Sequence, residues 1–244
     1  MKASIQLIIG LFILCHQSRA QTEVGINIGY SSVILTKLGT EIVNNNKGFE
    51  INLNAEKRYN VVAVQVKLFY INNTISDPTF EHCYEDGSCY ATETIIQAVY
   101  KPFVSLGGSG NLKFNFFNNF YFLSLGLGFS STRIMNYSIQ TLYQYNYAQF
   151  PLPKTITYVY ESNFALATVY CFNNGVRIPF NKNLGLTLEL SYIIQTLNPL
   201  VKYYINESIA KNPVTPFTKT EITAGVFSVS GGLYYRIGKI KLKS

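Results

Sequence analysis

Alternation of apolar and polar residues is the dominant pattern of this chain, and it is longest between residues 164 and 194. From Leu184 to Ile194 every second residue is apolar, and most residues between them are small, polar or charged. A period of two predicts β-strands with one apolar face. Strands in soluble domains usually have about 5–6 residues, whereas a tilted strand needs about 9–11 to cross a bilayer. The two strands predicted here, at 164–180 and 184–194, are long enough to cross a membrane.

The same alternation predicts eight strands in the whole chain. Their predicted ranges are 24–34, 49–56, 62–70, 94–113, 121–130, 164–180, 184–194 and 227–237. The connections between them alternate between long and short, and the three short turns fall at one end. Outer-membrane barrels combine an even number of antiparallel strands with short periplasmic turns and longer outside loops. We therefore predict an all-β fold: an eight-stranded antiparallel up-and-down transmembrane β-barrel with short periplasmic turns and long extracellular loops.

Composition and the N-terminus agree with a secreted membrane protein. Of the 244 residues 48% are hydrophobic and only 14% are charged, against roughly 25% charged residues in soluble domains. The chain begins with a basic residue, an apolar run and small residues before Gln21, which is the pattern of a secretory signal peptide. We predict a signal peptide at 1–20 and one outer-membrane β-barrel domain at 21–244. The expected location is the bacterial outer membrane, with its lipid bilayer as the first partner.

Two cysteines bracket a short polar loop, CYEDGSC. In an oxidising compartment this spacing favours a disulfide between Cys83 and Cys89. A zinc site would lack ligands, since His82 is the only histidine after the predicted signal peptide. Cys171 is expected to be a packed, inert thiol. No metal or other cofactor is predicted.

Isolated charges occupy the polar face of the predicted strands. An eight-stranded barrel has an interior that side chains just fill, so these charges are expected to pair across the lumen. The functional alternative is a gated or very narrow conduit. The predicted lumen charges are Glu50, Glu56, Lys67, Lys113, Arg177, Glu189 and Arg236.

The long connection from 137 to 161 is rich in tyrosine. Tyrosine provides contact area at a low entropic cost, so this composition suits a recognition surface. The same segment could equally extend the strands above the membrane, and the sequence leaves both open. The tyrosines concerned are Tyr137, Tyr143, Tyr145, Tyr147, Tyr158 and Tyr160.

Catalytic chemistry finds little support in the sequence. Hydrolases and acyltransferases need a nucleophile and a base within reach, and His82 beside the predicted disulfide is a weak candidate. We predict that the chain is not an enzyme. Nucleic acid is not an expected partner, because the basic residues are dispersed along a secreted chain.

Several segments together resemble one known family. They are the GINIGY opening, FYFLSLGLGFS after a short turn, LGLTLELSY and the closing GGLYYRIG. This set resembles the bacteroidete-type outer-membrane β-barrel domain family. The resemblance implies an OmpA-like eight-stranded barrel without a peptidoglycan-binding domain and without an invariant catalytic residue.

The expected function is structural or interaction-based. It would act through the connections around 83–89, 137–160 and 198–220, with a protein or a glycan as partner. One alternative is an accessory component of an outer-membrane transport or protein-secretion system. A further alternative, a soluble lipocalin-like binder of an apolar ligand, requires the apolar face of Leu184 to Ile194 to point inward.

Overall fold

The computed structural model describes residues 21–37, 40–59, 61–74, 81–83, 89–134, 136–145, 154–207 and 218–237. The predicted signal peptide at 1–20 lies outside these residues. The described residues form fourteen strands, and their bounds are β1 (Gln21–Lys37), β2 (Thr40–Tyr59), β3 (Val62–Thr74), β4 (Glu81–Cys83), β5 (Cys89–Lys101), β6 (Phe103–Phe116), β7 (Tyr121–Arg133), β8 (Asn136–Tyr145), β9 (Lys154–Ser162), β10 (Phe164–Pro179), β11 (Leu184–Leu197), β12 (Leu200–Glu207), β13 (Thr218–Lys219) and β14 (Ile222–Ile237). In this part of the chain, no helix has the length and apolar character needed to cross a membrane.

Eight of the described strands close into a barrel in the order β1-β14-β11-β10-β7-β6-β3-β2. Every neighbouring pair is antiparallel, and β1 closes the ring by pairing with both β2 and β14. The short turns β2–β3, β6–β7 and β10–β11 lie at the end where β1 begins and β14 ends. The predicted all-β, eight-stranded antiparallel barrel is confirmed.

The stagger of the strands sets their tilt in the barrel wall. Register partners can be followed around the ring from Lys47 of β2, through Ser32 of β1, Phe227 of β14 and one residue in each of five further strands. This path returns to β2 at Lys57. Lys47 and Lys57 are ten positions apart, so the stagger of the barrel is ten residues. Closure with such a stagger requires strands tilted by about 40°. In β11 the outward residues from Leu184 to Ile194 are apolar. These ten steps of about 3.3 Å at this tilt give a belt of roughly 25 Å, which matches the apolar band of outer-membrane barrels.

The two faces of the wall differ in chemistry as the alternation predicted. Outward residues include Leu127 and Leu166, which are 61% and 74% exposed. In β11, Leu188 is 46% exposed while the neighbouring Glu189 is 4% exposed. The apolar face of β11 therefore points outward. This contradicts the lipocalin-like alternative, which needed that face inside.

Several strands differ in extent from their predictions. β1 and β2 reach Lys37 and Thr40, so most of the expected loop between them is a hairpin extension. The strand predicted at 94–113 is divided at Pro102, and only β6 belongs to the barrel. Proline has no N–H to donate to the ladder, which explains a division at this residue.

The interior is polar towards the short turns but apolar towards the opposite end. The polar inner face predicted from sequence is therefore only part of the interior. At the outer end of β1, Val33, Ile34 and Leu35 place apolar side chains on both faces, and Val33 and Leu35 are buried. Fifteen buried side chains form this apolar cap: Val33, Leu35, Phe69, Ile71, Phe103, Ile134, Ala167, Val169, Cys171, Ile193, Leu197, Val201, Ile222, Ala224 and Val226.

The β6–β7 turn contains three successive residues with positive φ. Phe117, Asn118 and Asn119 have φ angles of 50°, 57° and 71°. Asparagine tolerates this left-handed region, whereas a bulky residue is strained there. The Phe117 side chain is 81% exposed, so protein packing offers little compensation.

Replacing Phe117 with asparagine is therefore expected to raise the free energy of unfolding by about 1 kcal/mol. Urea unfolding in lipid vesicles measures the effect. Phe120→Asn is the matched control, because Phe120 belongs to the same turn without a positive φ. A loss of stability in Phe117→Asn would show instead that the exposed ring is anchored in the membrane interface.

Candidate functional site

Two groups of ion pairs fill the polar part of the lumen. The basal cluster lies next to the short turns and consists of Glu23, Glu56, Arg58, Lys113, Arg177 and Arg236. The central cluster lies further in and consists of Glu50, Lys67, Asn173, Glu189 and Ser191. All seven charges predicted for the lumen are members of one cluster or the other.

Two carboxylates organise the basal cluster. Glu56 accepts hydrogen bonds from Arg177 at 2.6 Å, Arg58 at 2.7 Å and Lys113 at 2.9 Å. Glu23 forms ion pairs with Arg177 at 2.9 Å, Arg236 at 3.1 Å and Arg58 at 3.2 Å. Four basic groups therefore share two carboxylates, and the cluster ties strands from around the whole ring to one another.

Arginine side chains of the basal cluster also contact aromatic rings. The Arg177 guanidinium lies 5.3 Å from the centre of the Phe122 ring and 5.6 Å from that of Tyr234. The Lys113 ammonium lies 3.7 Å from the Phe122 ring centre. Cation–π contacts of this kind supplement the carboxylates in a region with an excess of positive charge.

Lys67 is the centre of the other cluster. Its side chain is fully buried, and its Nζ donates to Glu189 at 2.8 Å, Ser191 at 3.0 Å and Asn173 at 3.2 Å. Glu50 lies 3.5 Å from the same ammonium. Because β3 and β11 lie opposite each other in the ring of eight strands, the pair of Lys67 and Glu189 crosses the lumen.

A cavity of about 20 Å³ separates the two clusters. Asn27, Asn54 and Glu189 border it on one side, and Glu56 and Arg177 on the other. A space of this size holds one or two water molecules. Side chains of both clusters therefore occupy the polar part of the lumen around this cavity.

Above the central cluster, hydroxyl groups and the Gln195 amide form another polar layer. Gln195 Oε1 accepts from Thr132 Oγ1 at 2.7 Å, and Gln195 Nε2 donates to Ser105 Oγ at 3.0 Å. The apolar cap lies around and beyond this layer. The cap closes the lumen at the end away from the short turns.

Two members of the basal cluster were missed from the sequence. Glu23 and Arg58 are 3% and 5% exposed and lie at the ends of β1 and β2. The alternation of the two faces indicates both positions in the sequence. Glu23 precedes the outward Val24, and Arg58 follows the inward Glu56 by two positions, so both residues belong to the inner face. Both were overlooked because they stand close to predicted strand ends.

The remaining described strands form a second sheet beyond the apolar cap. Its order is β13-β12-β9-β8-β5-β4. Much of the three long connections predicted as extracellular loops is therefore strand. Of the two interpretations left open for 137–161, the backbone shows the strand extension, while its role in recognition stays a prediction.

A joint divides this sheet from the barrel at Pro102, Ile134, Asn163 and residues 198–199. Polar contacts connect joint residues and the first residues of the second sheet. The Ser162 N–H donates to Asn136 Oδ1 at 2.8 Å, and Ser162 Oγ donates to the Ile134 carbonyl at 3.1 Å. The Leu200 N–H donates to Asn163 Oδ1 at 2.9 Å. These bonds order the base of the second sheet.

The backbone register brings four tyrosines into one row of the second sheet. Tyr100 of β5 is opposite Tyr137 of β8, Tyr137 is opposite Tyr160 of β9, and Tyr160 is opposite Tyr203 of β12. Of the other predicted tyrosines, Tyr158 is the partner of Ile139, Tyr143 of Lys154 and Tyr145 of Ala91, while Tyr147 lies outside the described residues.

Cys83 and Cys89 are register partners in β4 and β5. Directly opposed residues of antiparallel strands have Cα atoms about 4.5–5.5 Å apart, within the range that a disulfide spans. The disulfide between them stays a prediction. Cys171 is a buried free cysteine on the inner face of β10, as expected.

The outer wall and the interior together define the environment of the barrel. A closed ring leaves no strand edge unpaired, which is the condition for crossing hydrocarbon with strands. The wall carries an apolar belt of the height of a bilayer core, and the basal and central clusters are enclosed. This architecture is that of bacterial outer-membrane barrels, and it confirms the predicted location.

Comparison with known proteins gives fold neighbours only. No family model matches the chain. No curated protein matches it either.

Among solved structures, the chain is similar to Neisserial surface protein A, with 12% identity, a TM-score of 0.45 and coverage of 90% of this chain and 100% of that one. It is similar to Ail, the attachment invasion locus protein of Yersinia pestis, with 13% identity, a TM-score of 0.40 and coverage of 89% and 99%. It is also similar to the outer membrane protease OmpT from Escherichia coli, with 11% identity, a TM-score of 0.44 and coverage of 91% and 100%. Likenesses at this level transfer neither an activity nor a partner to this chain.

Proposed function

We propose that this protein is a non-enzymatic outer-membrane barrel that binds a protein or glycan partner through its extracellular sheet. The observation that carries the proposal is the row of four tyrosines, Tyr100, Tyr137, Tyr160 and Tyr203, across β5, β8, β9 and β12. Register partners in an antiparallel sheet share one face. Tyrosine suits recognition surfaces because it offers contact area and a hydroxyl group at a low entropic cost.

The filled lumen supports a structural role for the barrel itself. The apolar cap, the central cluster and the basal cluster follow one another along the barrel axis. Passage of a solute would require breaking the buried pair of Lys67 and Glu189 and displacing the cap. Such a barrel suits a rigid anchor better than the transport or secretion accessory considered as the alternative.

The joint supports recognition by limiting the motion of the sheet. Asn136, Ser162 and Asn163 fasten the bases of three of its strands to one another. A binding surface that is ordered before binding loses less conformational entropy on association. The proposed disulfide between Cys83 and Cys89 would add a covalent link at the β4 edge of the same sheet.

Membership of the bacteroidete-type, OmpA-like family belongs to this proposal as well. Its support is the set of sequence segments GINIGY, FYFLSLGLGFS, LGLTLELSY and GGLYYRIG. Residues 25–30, 121–130, 184–192 and 231–237 of these segments lie in β1, β7, β11 and β14 of the barrel. The predicted signal peptide at 1–20 would deliver the chain to the export pathway.

Binding by cells that display the barrel tests the proposed function. We expect such cells to bind at least one ligand on panels of immobilised glycans and extracellular proteins. The triple variant Tyr137→Ser, Tyr160→Ser, Tyr203→Ser should reduce that binding by about tenfold or more, since each aromatic anchor contributes about 1 kcal/mol or more. The matched triple Tyr→Phe variant keeps the rings and should bind within about threefold of the parent.

Two results would count against this function. One is a parent protein that binds no more than cells carrying an empty vector. The other is a triple serine variant that binds like the parent. Equal surface levels, checked with an epitope tag, ensure that a loss of binding does not reflect a loss of protein.

A further inference from the structure

We propose that Arg133, with Lys101 beside it, binds the phosphate group of an anionic lipid in the outer leaflet of the membrane. This site lies on the outer wall of the barrel, separate from the lumen and from the tyrosine row. It does not depend on which partner the extracellular sheet binds.

Arg133 lies at the outer boundary of the apolar belt. It is the last residue of β7, and its register partners are Val104 of β6 and Phe164 of β10. Phe164 is exposed on the outer wall, so Arg133 belongs to the same outward face. Two positions nearer the bilayer centre, Leu106 and Leu166 are 62% and 74% exposed. The guanidinium therefore stands where acyl chains give way to lipid headgroups.

The guanidinium of Arg133 is held in one place. Its centre lies 5.1 Å from the middle of the Phe164 ring, and Nη2 donates to the Pro102 carbonyl at 3.5 Å. Its Nε is buried and has no hydrogen-bond acceptor among the described residues. Within that part of the chain, no carboxylate forms an ion pair with Arg133.

Lys101 is a second basic residue at the edge of the joint, where β5 ends. It directly precedes Pro102, whose carbonyl Arg133 contacts, and its side chain is exposed. Glu161, a carboxylate near the joint, is opposite Lys202 in the register of β9 and β12. The two basic groups are thus available to an external anion.

A lipid phosphate is the anion that this position would meet. Guanidinium groups bind phosphate through charge-assisted and often bidentate hydrogen bonds. Basic groups near a bilayer surface attract anionic headgroups. The exposed leucines below Arg133 would contact the acyl chains of the same lipid. One lipid molecule would thus provide a phosphate for the guanidinium and acyl chains for the apolar wall.

Native mass spectrometry of the full barrel in neutral detergent tests the site. The probes are short-chain phosphatidic acid, the matching diacylglycerol without a phosphate, and inorganic phosphate as a competitor. We expect one tightly retained phosphatidic acid per barrel, with a preference of about tenfold or more over diacylglycerol. Arg133→Gln should remove about tenfold of that affinity, and Arg133→Lys should retain part of it.

Lys47→Gln provides the matched control. Lys47 lies on the outward face of β2 near the same boundary, at a different position around the ring. The Lys47→Gln substitution should change the affinity by less than about twofold.

Unheated gels confirm that each variant is folded, and Arg133→Lys serves as the test if Arg133→Gln does not fold. Equal retention of phosphatidic acid by the parent and by Arg133→Gln overturns the proposal. Displacement by equimolar inorganic phosphate also overturns it, because the site would then bind soluble phosphate rather than a lipid.

Discussion

Replacing Lys67 with methionine is expected to lower the free energy of unfolding by about 3–5 kcal/mol, because it leaves buried carboxylates without their cation. Lys67 is fully buried and is the ion-pair partner of both Glu189 and Glu50. Methionine retains most of the volume of the lysine side chain. The loss of stability is therefore caused by the missing charge rather than by a cavity. Urea unfolding in lipid vesicles, followed by the gel mobility of unheated samples, measures the change.

Lys57→Met is the matched control for Lys67→Met. The Lys57 ammonium lies on the outer wall, 6.0 Å from the centre of the Tyr59 ring. Its loss should cost no more than about 1 kcal/mol. In the triple variant Lys67→Met, Glu50→Gln, Glu189→Gln, much of the stability should return, since no buried charge remains unpaired. Equal costs for Lys57→Met and Lys67→Met would mean that the central cluster does not hold the two sides of the barrel together.

Introducing arginine at Leu127 is expected to destabilise the barrel by about 2–4 kcal/mol, the cost of a cation at the middle of the lipid-facing wall. Leu127 is the central outward residue of β7 and is 61% exposed. Were this surface in water, the same substitution would alter stability by no more than about 0.5 kcal/mol. The experiment therefore distinguishes a membrane barrel from a soluble one by a single measurement.

Ser131→Arg supplies the comparison within the same strand. Ser131 faces outward two positions before Arg133, close to the boundary of the belt. Its replacement should cost about 0–1 kcal/mol, because the penalty for a cation falls towards the interface. A small and equal effect at both positions would contradict membrane insertion of β7.

Local pattern was sufficient to predict the strands, their faces and the eight-stranded ring. Alternation alone placed Leu188 outside and Glu189 inside, because the side chains of a strand point alternately to its two faces. It failed at the outer end of β1, where Val33, Ile34 and Leu35 are apolar on both faces. Such a run contains no period of two, although its inner members belong to the apolar cap.

The pairing of charges required information that no single strand contains. That Lys67 meets Glu189 follows from the order of strands and from their ten-residue stagger, which bring β3 and β11 to opposite sides at one depth. For the second sheet, the sequence left a strand and a recognition loop equally open at 137–161. Tyrosine is common both in strands and in recognition loops, so this composition does not decide between them. Pro102 interrupts the strand predicted at 94–113. Its place in a joint shared by several strands became visible only in the structure.

The joint has a consequence for engineering. Hydrogen-bonded pairing of the barrel strands stops there and resumes in a separate sheet, so the two parts do not share a continuous ladder. Foreign hairpins grafted beyond Asn136 and Ser162 should leave insertion of the barrel into the bilayer unaffected. The basal and central clusters lie well below such a graft and would keep the base rigid. The barrel thus offers a compact scaffold for displaying peptides at a bacterial surface.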